Sequence, residues 1–119
     1  TPNDQEAILF LGRSLEALGD LGGAIAQYKL IEGKNPDNQD NLYNLAMIYG
    51  KTNQIGDSHY YFGLHFKKKG KMDSALFHFK AASGYFSPES LRFREISKEI
   101  EILSRTGNKQ PSPVKKKLF

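Results

Sequence analysis

The chain has 119 residues, a length that fits one domain, and it contains no cysteine. The lack of cysteine excludes disulfides, thiolate zinc sites and cysteine nucleophiles. Hydrophobic residues make up 39% of the sequence and charged residues 25%, as in ordinary globular domains, and no stretch approaches the roughly 20 apolar residues that cross a bilayer.

The net charge of +4 comes from one end of the chain. Residues 107–119 hold Lys109, Lys115, Lys116 and Lys117 and no acidic residue, and the rest of the sequence carries equal numbers of basic and acidic side chains. A nucleic-acid-binding domain usually carries its basic excess on the folded surface. The charge distribution therefore argues against nucleic acid as the partner.

Apolar periodicity predicts an all-α fold, because no run shows the strict alternation of an exposed-face strand. The predicted helices cover residues 4–18, 21–34, 38–51, 55–69, 72–84 and 89–105. Residues that stop or cap helices separate them at positions 19–20, 35–37, 53–54, 70–71 and 87–88. We therefore expect six helices joined by short turns.

A residue pattern links the first two predicted helices. Leu11 and Gly12 lie in the first helix, Ala24 and Tyr28 lie in the second, and Pro36 follows. This arrangement resembles the tetratricopeptide repeat (TPR), a helix pair with a period of about 34 residues. Advancing along the chain by that period gives a second copy, with Leu45, Ala46 and Tyr49 in the third helix.

A third copy of the pattern, at residues 56–89, is out of phase with the first two and contains Gly63 and Phe79. The resemblance implies a TPR-type right-handed solenoid of three antiparallel helix pairs. The three repeats lie at about 5–38, 39–72 and 73–106 and together form a domain at 1–106. A basic, proline-containing tail follows at 107–119. Small residues are expected where the helices approach closely, since a larger side chain would separate their axes. These positions are Gly12, Ala24, Ala46, Gly63 and Ala75.

The last predicted helix differs from the others and is expected to cap the solenoid with a polar outer side. One apolar stripe runs along it: Phe93, Ile96, Ile100 and Leu103. Arg92 occupies the position that Ala24 holds in the first repeat. We therefore expect nothing to pack against Arg92.

The sequence contains no catalytic motif, so we expect the chain to be neither an enzyme nor a holder of a cofactor or metal. His59, His65 and His78 are not spaced four apart, so no two share a helix face in the usual zinc geometry. They are interpreted as packing or partly exposed residues. The basic cluster near the fourth helix end is interpreted as complementing the helix dipole. It consists of Lys67, Lys68, Lys69 and Lys71.

The TPR resemblance implies that the first helix of each pair lines a concave groove for a peptide or partner protein. Steps of one repeat place these residues in the groove: Leu9, Arg13, Tyr43, Met47, Lys51, Phe77, Ala81 and Tyr85. Their apolar and aromatic character favours a ligand of the same character. An alternative interpretation places Phe77 and Tyr85 in the core of the third repeat. Only Asn44 matches the clamp with which some family members hold a terminal carboxylate, so that clamp is not expected.

We expect the chain to belong to a larger protein, and two further functions remain open. Residues 57–82 resemble the last repeats of bacterial M48-type periplasmic zinc metalloproteases. That resemblance implies an accessory, substrate-recruiting or regulatory domain in the periplasm; otherwise a cytoplasmic location is expected. Alternatively, the tail binds nucleic acid or an anionic membrane, or docks into a groove through Val114, Leu118 and Phe119. The sequence leaves the oligomeric state open.

Overall fold

The computed structural model describes the backbone of residues 2–109 and the side chains of residues 4–106. It contains six α-helices, which are α1 (Pro2–Ala17), α2 (Leu21–Lys34), α3 (Gln39–Lys51), α4 (Ile55–Lys68), α5 (Met72–Ser83) and α6 (Leu91–Lys109). The described residues form no strand, which confirms the all-α prediction. The largest differences are at the chain ends, where α1 begins two residues earlier than predicted and α6 is shifted towards the C-terminus.

Three of the five connections share one turn geometry. In the turns after α1, α3 and α4, the residues Gly19, Asn53 and Gly70 have positive φ angles of 88°, 61° and 81°. The following residue donates its N–H to a carbonyl five positions back, as Asp20 does to Leu15 at 2.9 Å. These bonds satisfy the last carbonyls of the helix that ends there. Since the turn follows both α3 and α4, α4 is joined to each neighbour by a tight hairpin.

Side-chain caps start three of the helices, and at α6 the hydroxyl oxygen of Ser90 accepts the N–H of Phe93 at 3.1 Å. The carboxylate of Asp20 accepts the N–H of Gly23 at 2.9 Å, and the Asn38 amide oxygen accepts the N–H of Asn41 at 3.0 Å. Each cap satisfies one of the free donors at a helix N-terminus. The buried Asn41 side chain also donates to the carbonyl of Tyr28 at 2.9 Å, which attaches α3 to α2.

Two glycines mark the closest helix contacts. A Cβ atom on Gly12 would lie 2.5 Å from the Tyr28 ring, and one on Gly63 would lie 2.6 Å from the Phe79 ring. Gly12 therefore brings α1 against α2, and Gly63 brings α4 against α5. The three small alanines of the repeat pattern are fully buried: Ala24, Ala46 and Ala75.

Helix α4 lies at the centre of the molecule and contacts four other helices. Its most extensive contacts are with α3 and α5. The hydroxyl of Tyr61 donates to Glu32 of α2 at 2.5 Å, and the Tyr60 ring contacts Arg92 of α6. The out-of-phase copy of the repeat pattern thus corresponds to a helix that packs closely against both its predecessor and its successor.

Arg92 packs against a neighbouring helix, contrary to the prediction from the sequence. Its guanidinium carbon lies 3.9 Å from the centroid of the Tyr60 ring, and Glu95 accepts a hydrogen bond from it at 3.3 Å. The prediction that nothing packs against Arg92 is wrong, because the face of an aromatic ring attracts a cation and fills the space beside a long side chain. Ile96 and Leu103, from the predicted apolar stripe, are buried.

Candidate protein-binding surface

Four of the predicted groove residues are large apolar side chains that the structure leaves exposed. The exposed fraction is 44% for Tyr43, 39% for Met47, 65% for Phe77 and 59% for Tyr85. Phe77 and Tyr85 are therefore not part of the core, which answers the alternative left open by the sequence. Solvent-exposed aromatic side chains are typical of surfaces that receive a partner.

The other predicted groove residues differ from one another in environment. The prediction that Leu9 lines the groove is wrong, because Leu9 is only 8% exposed and belongs to the hydrophobic core. Arg13 and Lys51 are exposed, and Lys51 forms an ion pair with Glu16 of α1. Ala81 is half-buried. A shallow cavity of about 350 Å³ between α1 and α3 is lined by Arg13, Glu16, Ala17, Asn44 and Lys51.

Eight aromatic or imidazole rings form one continuous network of ring contacts, which we call the aromatic band. Its members come from α3, α4, α5 and the α5–α6 connection, and they are Tyr43, His59, Phe62, His65, Phe66, Phe77, His78 and Tyr85. Neighbouring ring centroids lie 5.2 to 6.3 Å apart, within the range of favourable aromatic contacts. The band thus extends over three helices.

Helix α4 supplies the less exposed middle of the band. Phe62 lies 6.2 Å from the Tyr43 ring of α3 and 5.2 Å from the His78 ring of α5, so it bridges the two neighbouring helices. Gly56 at the start of α4 lets the α5–α6 connection approach, because a Cβ there would lie 2.6 Å from Cβ of Tyr85. The band is therefore held by the tight contacts of α4.

The structure brings together two histidines that the sequence analysis kept apart. The Nδ1 atoms of His59 and His78 are 3.0 Å apart, a hydrogen-bond distance between α4 and α5. The signal was present, since His59 lies 11 residues before Gly70 and His78 lies 8 residues after it. An antiparallel hairpin therefore places the two within about one helical turn of each other. A test of spacing within one helix could not detect it.

The separation of the histidine pair is that of a direct hydrogen bond. Two nitrogens bound to one tetrahedral zinc ion, at about 2.0 Å from it, would lie about 3.3 Å apart. The observed separation is 3.0 Å. Within residues 4–106, no group of three or more histidine, aspartate or glutamate side chains has the arrangement of a metal site.

Burial shifts two of the imidazoles towards the neutral form. The pKa of His78 is lowered, mainly by burial and further by the charge of His59. The pKa of His65 is also lowered, chiefly by burial, against an opposing hydrogen bond with the backbone of Gln39. These two members of the band are therefore uncharged at neutral pH.

The lysines near the end of α4 are partly neutralised. Lys67 pairs with Glu99 of α6 at 2.6 Å, and Lys68 lies 3.7 Å from Asp37. Lys69 and Lys71 are exposed. The ion pairs tie α4 to its neighbours, in addition to any effect of the lysines on the helix dipole.

The predictions for the tail concern residues that lie almost entirely outside the described part of the chain. They include the proposed docking residues Val114, Leu118 and Phe119 and the lysines at 115–117. Among the described residues, no helix is long and apolar enough to cross a membrane.

Comparison with known proteins gives a partial similarity. No protein-family model matches the chain. A segment of 52 residues is 46% identical to the BBSome complex member bbs-4 of Caenorhabditis elegans. The segment is 44% of this chain but only 11% of that relative. The all-helical structure and this similarity fit a TPR-like protein, whereas the M48-type metalloprotease origin and the periplasmic location have no support.

Proposed function

We propose that this chain is a protein-interaction module of a larger protein, with its helices stacked as a TPR-type right-handed solenoid. Three observations support the arrangement: the recurring small-residue contacts, the recurring turn and the tight α4–α5 hairpin. The similarity to a protein named as a member of the BBSome complex agrees with a role in assembly with other proteins. The proposal assigns no catalytic step and no cofactor to the chain.

The aromatic band is the observation that carries this proposal. It joins rings from α3, α4 and α5, and Phe77 and Tyr85 expose more than half of their surface. Contiguous exposed apolar surface is unusual on a folded domain and marks an interaction site. Aromatic side chains also contribute more binding energy than most other residues when a partner covers them.

The chemistry of the band indicates the character of the ligand. Tyr43 and Phe77 of the band, with Met47 one helical turn after Tyr43, offer exposed apolar surface, which suits a segment with exposed aliphatic or aromatic side chains. Arg13, beside the cavity between α1 and α3, adds positive charge there, whereas the charge of Lys51 is paired with Glu16. We therefore propose an extended or helical segment of a partner protein as the ligand.

Selection from a random peptide library tests the proposed function. The full chain is immobilised at pH 7.5, and enriched peptides are expected to share aromatic or aliphatic positions. Phe77→Ala should weaken the best peptide at least tenfold, whereas Phe10→Ala should not, although Phe10 of α1 is also a largely exposed phenylalanine. Equal effects of the two substitutions, or no enrichment, would refute the proposal.

A further inference from the structure

The histidine pair is a feature of the aromatic band that peptide binding alone does not explain. His59 and His78 belong to different helices, are half-buried and direct their Nδ1 atoms at each other at 3.0 Å. One ring must donate an Nδ1–H and the other must accept it. The pair can therefore take up one further proton on a free Nε2 atom while the bond between the rings is kept.

A second additional proton is strongly opposed. With both Nδ1 atoms protonated, the hydrogen bond would lose its acceptor and two positive charges would lie about 3 Å apart. The first proton, in contrast, converts a neutral hydrogen bond into a stronger charge-assisted one. The two imidazoles thus bind protons as a unit, with a single positive charge as the favoured acidic state.

The band can accommodate that charge. The His78 ring lies nearly parallel to Phe66, at 5.4 Å and 12°, and 5.2 Å from Phe62. The faces of both phenylalanine rings attract a cation. The positive charge would therefore lie within the ligand-binding surface and not beside it.

We propose that His59 and His78 form a proton-sharing pair that makes the aromatic band cationic in mild acid, so that the band then prefers segments carrying a carboxylate beside an aromatic side chain. This inference rests on the proposed function of the band as the binding surface. At pH 8 the neutral pair gives an anionic aromatic ligand no advantage over a neutral one. At pH 5 the singly charged pair does.

Other titratable groups near the pair do not supply this response. The charge that acts on His78 is that of His59, and burial contributes the larger lowering of its pKa. Asp40 of α3 and the lysines at 69 and 71 of the α4–α5 turn act on His65. Tyr43 of α3 contacts the ring of His65, and Tyr85 of the α5–α6 connection contacts the ring of His59. His65 itself belongs to the band but not to the pair.

Nitrogen NMR on the full chain tests the pair without any ligand. A coupling transmitted through the hydrogen bond between the two Nδ1 nuclei is expected at pH 8 and should persist at pH 5. Over the same range the two rings together should gain one proton. Loss of the coupling in acid, uptake of two protons, or uptake of none would overturn the proposal.

Two probes that differ by a single charge test the change in ligand preference. N-acetyltryptophan is an anion throughout pH 5 to 8, and N-acetyltryptophanamide is its neutral counterpart. We expect the ratio of the two affinities to shift about fivefold towards the anion between pH 8 and pH 5, the effect of one nearby charge in a solvated site. Chemical-shift changes in the band should report binding of both probes.

Matched variants separate the pair from the third histidine. His65→Phe leaves the pair intact and should keep the fivefold shift, whereas His59→Phe combined with His78→Phe should abolish it. If the double phenylalanine variant does not fold, the double glutamine variant replaces it. A shift that persists without the pair, or disappears in His65→Phe alone, would overturn the proposal. Absence of probe binding at both pH values would also overturn it, while peptide selection at pH 7.5 judges the proposed function independently.

Discussion

At the level of single residues, the glycines of the chain perform different tasks. Gly12 leaves room for the Tyr28 ring, Gly70 adopts a backbone angle that other residues avoid, and a Cβ added to Gly33 in α2 would have no neighbour within 4 Å. Substitution by alanine therefore tests the space beside Gly12, the backbone conformation at Gly70 and the helix propensity at Gly33.

Gly12→Ala should lower the free energy of unfolding by about 1–3 kcal/mol, because its Cβ would overlap the fully buried Tyr28 ring. Gly33→Ala is the control and should raise it by up to about 1 kcal/mol, because alanine favours the helix. Urea unfolding of both variants gives the comparison. Equal stabilisation by the two substitutions would show that α1 and α2 are not in close contact.

Stability should also fall in mild acid because of His65 and His78. Burial lowers the pKa of both in the folded chain, so as the pH falls the unfolded chain takes up protons first. The stabilisation is complete above pH about 6.5 and is lost as the pH falls towards the lowered pKa values. Urea unfolding at pH 7.5 and 5.5 should show a smaller loss in a His65→Phe, His78→Phe variant than in the original chain; an equal loss would contradict this assignment.

Individual side chains were the least predictable part of the molecule. The repeat spacing placed Tyr43, Met47, Phe77 and Tyr85 at positions that the structure exposes, but it also placed Leu9 there, which is buried. The spacing gives the position along a helix, whereas burial depends on how far that helix is rotated towards its neighbours. Contacts between helices, such as that of the histidine pair, require the register of the hairpin as well.

At the level of elements, the helices were well predicted because their ends are encoded locally. Gly19, Asn53 and Gly70 each take up a positive φ angle after a helix, and Asp20 and Asn38 cap the helices that follow. Glycine and asparagine tolerate this conformation better than other residues. Such signals need no knowledge of distant contacts, unlike the position of Arg92 on Tyr60.

Gly70→Ala should lower the free energy of unfolding by about 1 kcal/mol through backbone strain alone, since no atom lies within 4 Å of the added Cβ. Asn53→Gly, in the equivalent turn, should leave stability unchanged or raise it slightly, because glycine adopts a φ of 61° more readily. Thermal unfolding followed by circular dichroism compares the two. Stabilisation by Gly70→Ala would show that the turn does not have the described geometry.

At the level of the whole molecule, α4 determines which parts depend on each other. Its contacts with α3 and α5 are the most extensive between helices, whereas α2 and α3 share fewer. Tyr61 extends its contacts to α2 and Tyr60 to α6. The sequence contained this organisation in the out-of-phase pattern around Gly63, but the pattern alone could not decide whether α4 pairs with one neighbour or with both.

Two fragments test this dependence. A fragment of residues 36–109 keeps both hairpins of α4 and should remain helical and unfold cooperatively, although with lower stability. A fragment of residues 1–69 exposes the side of α4 that covers Phe79 and should lose cooperative unfolding. Thermal melts followed by circular dichroism distinguish them, and cooperative melting of the shorter N-terminal fragment alone would contradict the central role of α4.

The double use of α4 also limits how this array can grow or shrink. Removing or inserting one 34-residue unit at Gly70 would separate Gly63 from Phe79. Helix α4 would then lose its close contact with α5. The connection at residues 35–38, where one hairpin ends before the next begins, is crossed by fewer contacts, among them those of Asn41 with Tyr28 and of Tyr61 with Glu32. We therefore expect longer or shorter versions of the domain to have gained or lost repeats at residues 35–38. The segment from α3 to α5 should stay together in all of them.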